Sequence, residues 1–187
     1  MILGLFRRRD PNAAIVDGLY IALSDAARRP GFYVDLGVPD TVEGRFDLLT
    51  LHVFVALRRL KALPDPAGDL AQDLVDAVFR HFDMALRELG VGDISVPKRM
   101  KTLASAFYGR GKAYEQALGQ PSDGDAPLAE ALARNLFANR PTVADAPVLM
   151  AGYVRAAIAG LESAGFDDFV AARLPFPPPP SRQGAPA

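Results

Sequence analysis

The sequence predicts an all-α protein: one compact helical domain of about six to seven helices with a disordered Pro-rich C-terminal tail. Apolar residues recur at helical spacing through most of the chain, with the widest stripe over 69–89. Proline and glycine cluster mostly between these periodic stretches, as punctuation. Half of the 187 residues are hydrophobic and 23% are charged, which is a globular balance at a length that buries a core without staples.

Residues 1–9, MILGLFRRR, read as an extension ahead of the domain. Its charges follow the apolar residues, the reverse of a signal peptide. That leaves either a frayed end or a weak membrane-surface anchor. The helical domain is expected over 10–165. Its first helix, 11–28, places Ile15, Leu19, Ala22, Leu23 and Ala26 on one face and ends at Pro30-Gly31. The stretch 32–44 reads as irregular, with a short β-like start and a turn at Gly37-Val38-Pro39-Asp40.

A second helix over 45–63 is apolar almost all round, as a central core helix should be, and Pro64 and Pro66 stop it. The third, 69–89, carries Leu70, Leu74, Val78, Phe82, Ala85 and Leu89 on one stripe, with Asp73, Asp76, Arg80, Asp83 and Arg87 opposite. Its acid-first pairs Asp76–Arg80 and Asp83–Arg87 contribute about 0.3 kcal/mol each, and Gly90 stops it. A basic helix over 97–118 follows, with Gly109 and Gly111 as candidate breaks. Further helices are expected near 127–139 and 144–163. Residues 166–187, ending in FPPPPSRQGAPA, read as a tail outside the fold, because a polyproline run donates no backbone hydrogen bonds.

Several function classes drop out. Without cysteine there is no disulfide framework, thiolate metal site or cysteine nucleophile. No phosphate-binding glycine loop, nucleophile elbow or metal-ligand spacing occurs. His52 and His81 read as satisfied core histidines. The longest apolar stretch, 46–57, is interrupted by Asp47, Thr50 and His52 and is too short to span a bilayer. A small all-α enzyme using His52 with a carboxylate is the weakest reading these residues leave, so the expectation is a protein that is not an enzyme, with no cofactor and no metal.

The segment from Gly90 to Arg110, GVGDISVPKRMKTLASAFYGR, is the most informative. Lys98, Arg99 and Lys101 fall in the first turns of a helix, where cations oppose the macrodipole. Met100, Leu103, Ala104 and Phe107 follow at helical spacing, and Phe107-Tyr108-Gly109-Arg110 closes the segment. Five basic residues and no acidic one lie between Ile94 and Tyr114, in a chain of net charge −1. That asymmetry points either to buried acidic partners or to an anionic partner surface.

GRFDLLTLHVFVALRRL (44–60), FDMALRELGVGDISVPKRMKTLASAFYGR (82–110) and the preceding FYVDLGVPDTVEG resemble the ubiquinol–cytochrome c chaperone family, over roughly residues 10–165. The most specific parts are Phe46-Asp47 with Leu51-His52, Arg87-Glu88 with Gly90-Val91-Gly92-Asp93, Lys98 with Met100, and Phe107-Tyr108-Gly109-Arg110. With no amphipathic, acid-poor transit segment ahead of the domain, the likeness is to a bacterial member. The resemblance implies an assembly chaperone that binds nascent or newly inserted cytochrome b and promotes its entry into the cytochrome bc1 complex. It implies a cytoplasmic protein, peripheral at the inner membrane, working beside the ribosome or membrane surface, with any small partner subunit unidentified and no DNA. Asp47, His52, Asp93, Lys98, Met100, Phe107, Tyr108 and Arg110 are the candidate client-binding residues on that likeness, with Lys101 added from the basic segment. The alternative is a helical module that binds nucleic acid or anionic lipid through 94–114.

Overall fold

The protein is described by a computed structural model over residues 12–120 and 124–181. The 1–9 extension and the last part of the expected tail, 182–187, lie outside the described residues. These are all helical, with no strand: α1 (Ala13–Ala27), α2 (Gly31–Val34), α3 (Val42–Leu60), α4 (Ala67–Glu88), α5 (Val96–Leu118), α6 (Ala126–Leu136), α7 (Ala146–Leu161) and α8 (Phe166–Val170). Six of them are long helices of 11 to 23 residues, as the periodicity predicts.

α3 is the hub. It packs on α1, α4, α5, α6 and α7, which explains why its sequence is apolar nearly all round. It starts three residues earlier than its apolar run suggests, because the Thr41 hydroxyl caps it by accepting from the Gly44 amide at 3.1 Å. A Cβ on Gly44 would collide with the Pro39 carbonyl oxygen, so the close crossing of the 39–41 chain requires glycine there. α4 is one-sided: its apolar stripe lies on α1, α3 and α5.

Three local expectations are corrected. The β-like start at 32 is instead the one-turn helix α2. Pro30 supplies a helical φ of −55°, and the turn buries Phe32 edge-on against Tyr153 and His52. α5 runs unbroken through Gly109 and Gly111, since an interior glycine costs about 1 kcal/mol without ending a helix that packing supports.

The expected disordered tail is, up to Ser181, part of the packed fold. Phe169 on α8 is fully buried. Phe176 is buried too, its ring centroid 5.0 Å from that of His52. Arg29 Nη1 donates to the carbonyls of Phe176 (3.2 Å) and Pro177 (2.6 Å). Bare Gly31 admits Pro179, where a Cβ would come within 2.9 Å. Proline lacks a donor but keeps its acceptor, and a guanidinium supplies the missing partner.

The outward face of the fifth helix

Helical spacing divides α5 into two faces. Inward lie Met100, Leu103, Phe107 and Tyr114, packed in or against the core. Outward lie Lys98, Lys101, Thr102, Ser105, Tyr108, Gly109 and Lys112, all exposed. Of this outer stripe the sequence marks Lys98, Lys101 and Tyr108 as site candidates; Lys112 is counted there only among the five basic residues, although the 101–105–108–112 spacing places it on the same face. Lys98, Arg99, Lys101 and Lys112 have no ion-pair partner among the described residues. The buried-acid explanation for the first-turn cations is therefore not the one this fold uses for them.

Tyr108 is 59% exposed and rests on an aromatic chain that crosses three helices. Ring centroids run Phe46–Phe82 5.1 Å, Phe82–Phe79 6.1 Å, Phe79–Phe107 5.3 Å and Phe79–Tyr108 6.0 Å. Tilted and edge-on pairs at these separations hold ring orientation as well as burying area. Phe107, 5% exposed, is thus the anchor behind Tyr108.

Arg110 turns inward. Its Nη2 lies 2.8 Å from Asp47 Oδ1, and its guanidinium sits 5.2 Å over the Phe46 ring. The ion pair is close but poorly aligned: Asp47 Oδ1, Arg110 Nε and the Tyr114 hydroxyl have no hydrogen-bond partner. Burial pushes the Asp47 carboxyl up to about 7, further than Arg110 pulls it down, and Glu43 adds to the rise. A buried pair of this kind fixes how α3 and α5 meet more than it stabilises them.

His52 is 1% exposed and satisfied at both nitrogens. Nδ1 donates to the Leu48 carbonyl at 2.7 Å, which leaves Nε2 to accept from the Tyr153 hydroxyl at 2.8 Å. Burial holds it neutral, lowering its pKa to about 4. His81, by contrast, is half-buried, stacked on Tyr20 at 3.7 Å and facing Asp17 at 3.6 Å. Asp93 is exposed and held by Arg87 at 2.6 Å, which also grips Asp83.

The structure thus brings together Lys98, Lys101 and Tyr108 on one surface, with Met100 and Phe107 behind it. Asp47 and Arg110 form a separate internal pair, His52 belongs to the core beneath the C-terminal strap, and Asp93 pins the turn before α5. Sequence reasoning missed Tyr153 and Arg29, whose roles depend on contacts more than 100 residues away in the chain.

The family sequence model described as ubiquinol-cytochrome C chaperone matches residues 34–176, a span that includes the buried Phe176. The chain is 32% identical over 124 residues to "Protein CBP3, mitochondrial" of Saccharomyces cerevisiae, covering 65% of this chain and 36% of that protein. It therefore spans just over a third of its yeast relative. The crystal structure of the Cbp3 homolog from Brucella abortus superimposes with a TM-score of 0.77 at 40% identity, covering 95% of this chain and 97% of the other. On the family match and this full-length likeness, the chain belongs to the ubiquinol–cytochrome c chaperone family.

Proposed function

We propose that this chain is an assembly chaperone of the cytochrome bc1 complex that holds newly made cytochrome b on the outer face of α5. It acts without catalysis, peripheral to the inner membrane on its cytoplasmic side. The observation that carries the site is the set of cations around exposed Tyr108 that have no ion-pair partner among the described residues. Tyr108, backed by Phe79 and Phe107, is a rigid aromatic contact for an apolar client segment. Lys98, Lys101 and Lys112 meet acidic loops or headgroups at the ends of such a segment. Asp47, Arg110 and His52 act beneath this face by positioning α5 and α3, not by touching the client.

The test is affinity purification of the full chain from its native host, with cytochrome b followed among the co-purifying proteins. Tyr108→Ala should reduce the captured cytochrome b several-fold at an unchanged melting temperature. Normal capture and normal complex assembly by this variant would sink the proposed site.

A further inference from the structure

The turn between α4 and α5 is tightly built and still presents its largest apolar side chains to water. Gly90, at φ 76°, closes α4 in a Schellman motif: its amide donates to Arg87 O at 2.9 Å, and the Val91 amide to Leu86 O at 3.0 Å. On the far side, the Ser95 amide donates to Gly92 O at 2.8 Å, and Val96 is buried. Arg87 ties Asp93 back to Asp83 on α4. Between these fixed points Ile94 is 98% exposed and Leu89 60% exposed.

This exposure is not the accident of a loose loop. A β-branched apolar residue at a turn position gains nothing from the fold, and a polar one would serve it better. Immediately beyond stand Lys98, Arg99 and Lys101, exposed and without ion-pair partners among the described residues. Asp83 and Asp93 share the single positive charge of Arg87, so Asp93, 87% exposed beside Ile94, and Glu88 are the exposed opposing charges at this end, against the three cations Lys98, Arg99 and Lys101.

We propose that this turn is a membrane-docking tip. Ile94 and Leu89 enter the boundary between headgroups and acyl chains of an anionic bilayer, while Lys98, Arg99 and Lys101 meet its phosphates. A nucleic-acid backbone would use the cations but gains nothing from Ile94 and Leu89, so the apolar pair selects lipid. The inference deepens the peripheral placement proposed above, and it does not depend on which client α5 holds.

The experiment uses the full chain, residues 1–9 included in every variant, in co-sedimentation with phosphatidylcholine vesicles with and without phosphatidylglycerol. Binding should require the anionic lipid. It should fall roughly tenfold in Ile94→Asp, about fivefold for each of Lys98→Gln and Lys101→Gln, and rise in Glu88→Gln. Because the chain contains no tryptophan, Ile94→Trp installs a sole reporter, and its emission should shift to the blue on adding anionic vesicles. A single-stranded oligoribonucleotide serves as the competing probe.

Three outcomes overturn the tip: no vesicle binding, vesicle binding unchanged in both Ile94→Asp and Leu89→Asp, or tight RNA binding without vesicle binding. Since Ile94 is almost fully exposed, its variants should melt like the parent. Failure here leaves the Tyr108 capture result standing, and failure of that result leaves the vesicle result standing.

Discussion

Arg110 and Lys112 lie two residues apart on α5 and meet opposite fates. Arg110 is folded inward onto Asp47 and the Phe46 ring, whereas Lys112 stands in solvent beside Lys98 and Lys101 on the outer stripe. The chain has 17 arginines to 4 lysines, counted along its sequence, and three of those lysines share this one face. The planar guanidinium suits fixed, directional contacts inside a fold. An ammonium on a flexible stem suits an anionic partner that comes and goes. One helix therefore carries an internal charge paired across to α3 and external charges without an ion-pair partner among the described residues.

The largest effect should come from inverting the internal charge. Arg110→Glu sets two carboxylates against each other in a mostly buried site and should abolish folding, read by circular dichroism. Measured above pH 7, where Asp47 is ionised, Asp47→Ala leaves the arginine unpaired and should cost about 3–5 kcal/mol, whereas Asp47→Leu with Arg110→Met should come back to near parental stability. If the apolar pair folds well yet fails in cells, the ion pair acts in function as well as in orientation. The same logic removes Arg110 from any test of the client surface by charge reversal, since its charge is paired inside the fold.

The C-terminal strap comes next. Phe176→Ala should destabilise by about 3 kcal/mol, because the ring is buried against His52. Arg29→Ala should cost less, about 1–2 kcal/mol, by stripping two carbonyls of their donor. Urea titration of both variants checks this order. A strap that could be cut at 174 with no change in melting temperature would return it to the status of a free tail.

These regions also show what the sequence makes legible. The helices follow from local periodicity, and α3 was recognisable as the hub because a helix surrounded by others must be apolar on every side. The basic outer face of α5 was legible for the opposite reason: its cations violate the helix dipole, and a local rule broken without local compensation marks a surface with another use. Arg110 was not legible. It belongs to the same basic run, and only the distant Asp47 turns it inward. The strap was misread because a polyproline run lacks donors, while nothing local in the sequence announces that Arg29, some 147 residues away, would satisfy its acceptors.

A smaller effect separates Asp47 from His52, the two titrating groups buried on α3. The folded Asp47 carboxyl is raised from 3.8 to about 7, so its contribution is present below about pH 4 and lost as pH rises through 7. The folded His52 imidazole is lowered from 6.5 to about 4, so its contribution is present above pH 6.5 and lost as pH falls toward 4. The two slopes oppose each other between pH 4 and 6.5, and stability there should be nearly flat. Asp47→Asn removes one of them. Its stability should then fall by roughly 1–3 kcal/mol as pH drops from 6.5 to 4, measured by urea unfolding across that range. A flat profile in the variant would show that His52 does not titrate with unfolding.

The smallest change in stability should come from the outer face, and its sign is the informative part. Lys98 lies in the first turn of α5, with no acidic residue there to offset it. Lys98→Glu replaces an unfavourable charge–dipole interaction with a favourable one and should raise stability by about 0.3–1 kcal/mol. Combined with Lys101→Glu, it should leave the melting temperature level or slightly higher. Complex III assembly in cells should nevertheless fall, with cytochrome b depleted first and the variant present at normal abundance. That combination, a sturdier protein that works less well, is what a binding surface held against its own fold predicts. A loss of stability in Lys98→Glu would mean that this cation is needed by the fold after all. Normal assembly at normal abundance would remove Lys98 and Lys101 from the client surface and leave it to Tyr108 and its aromatic backing.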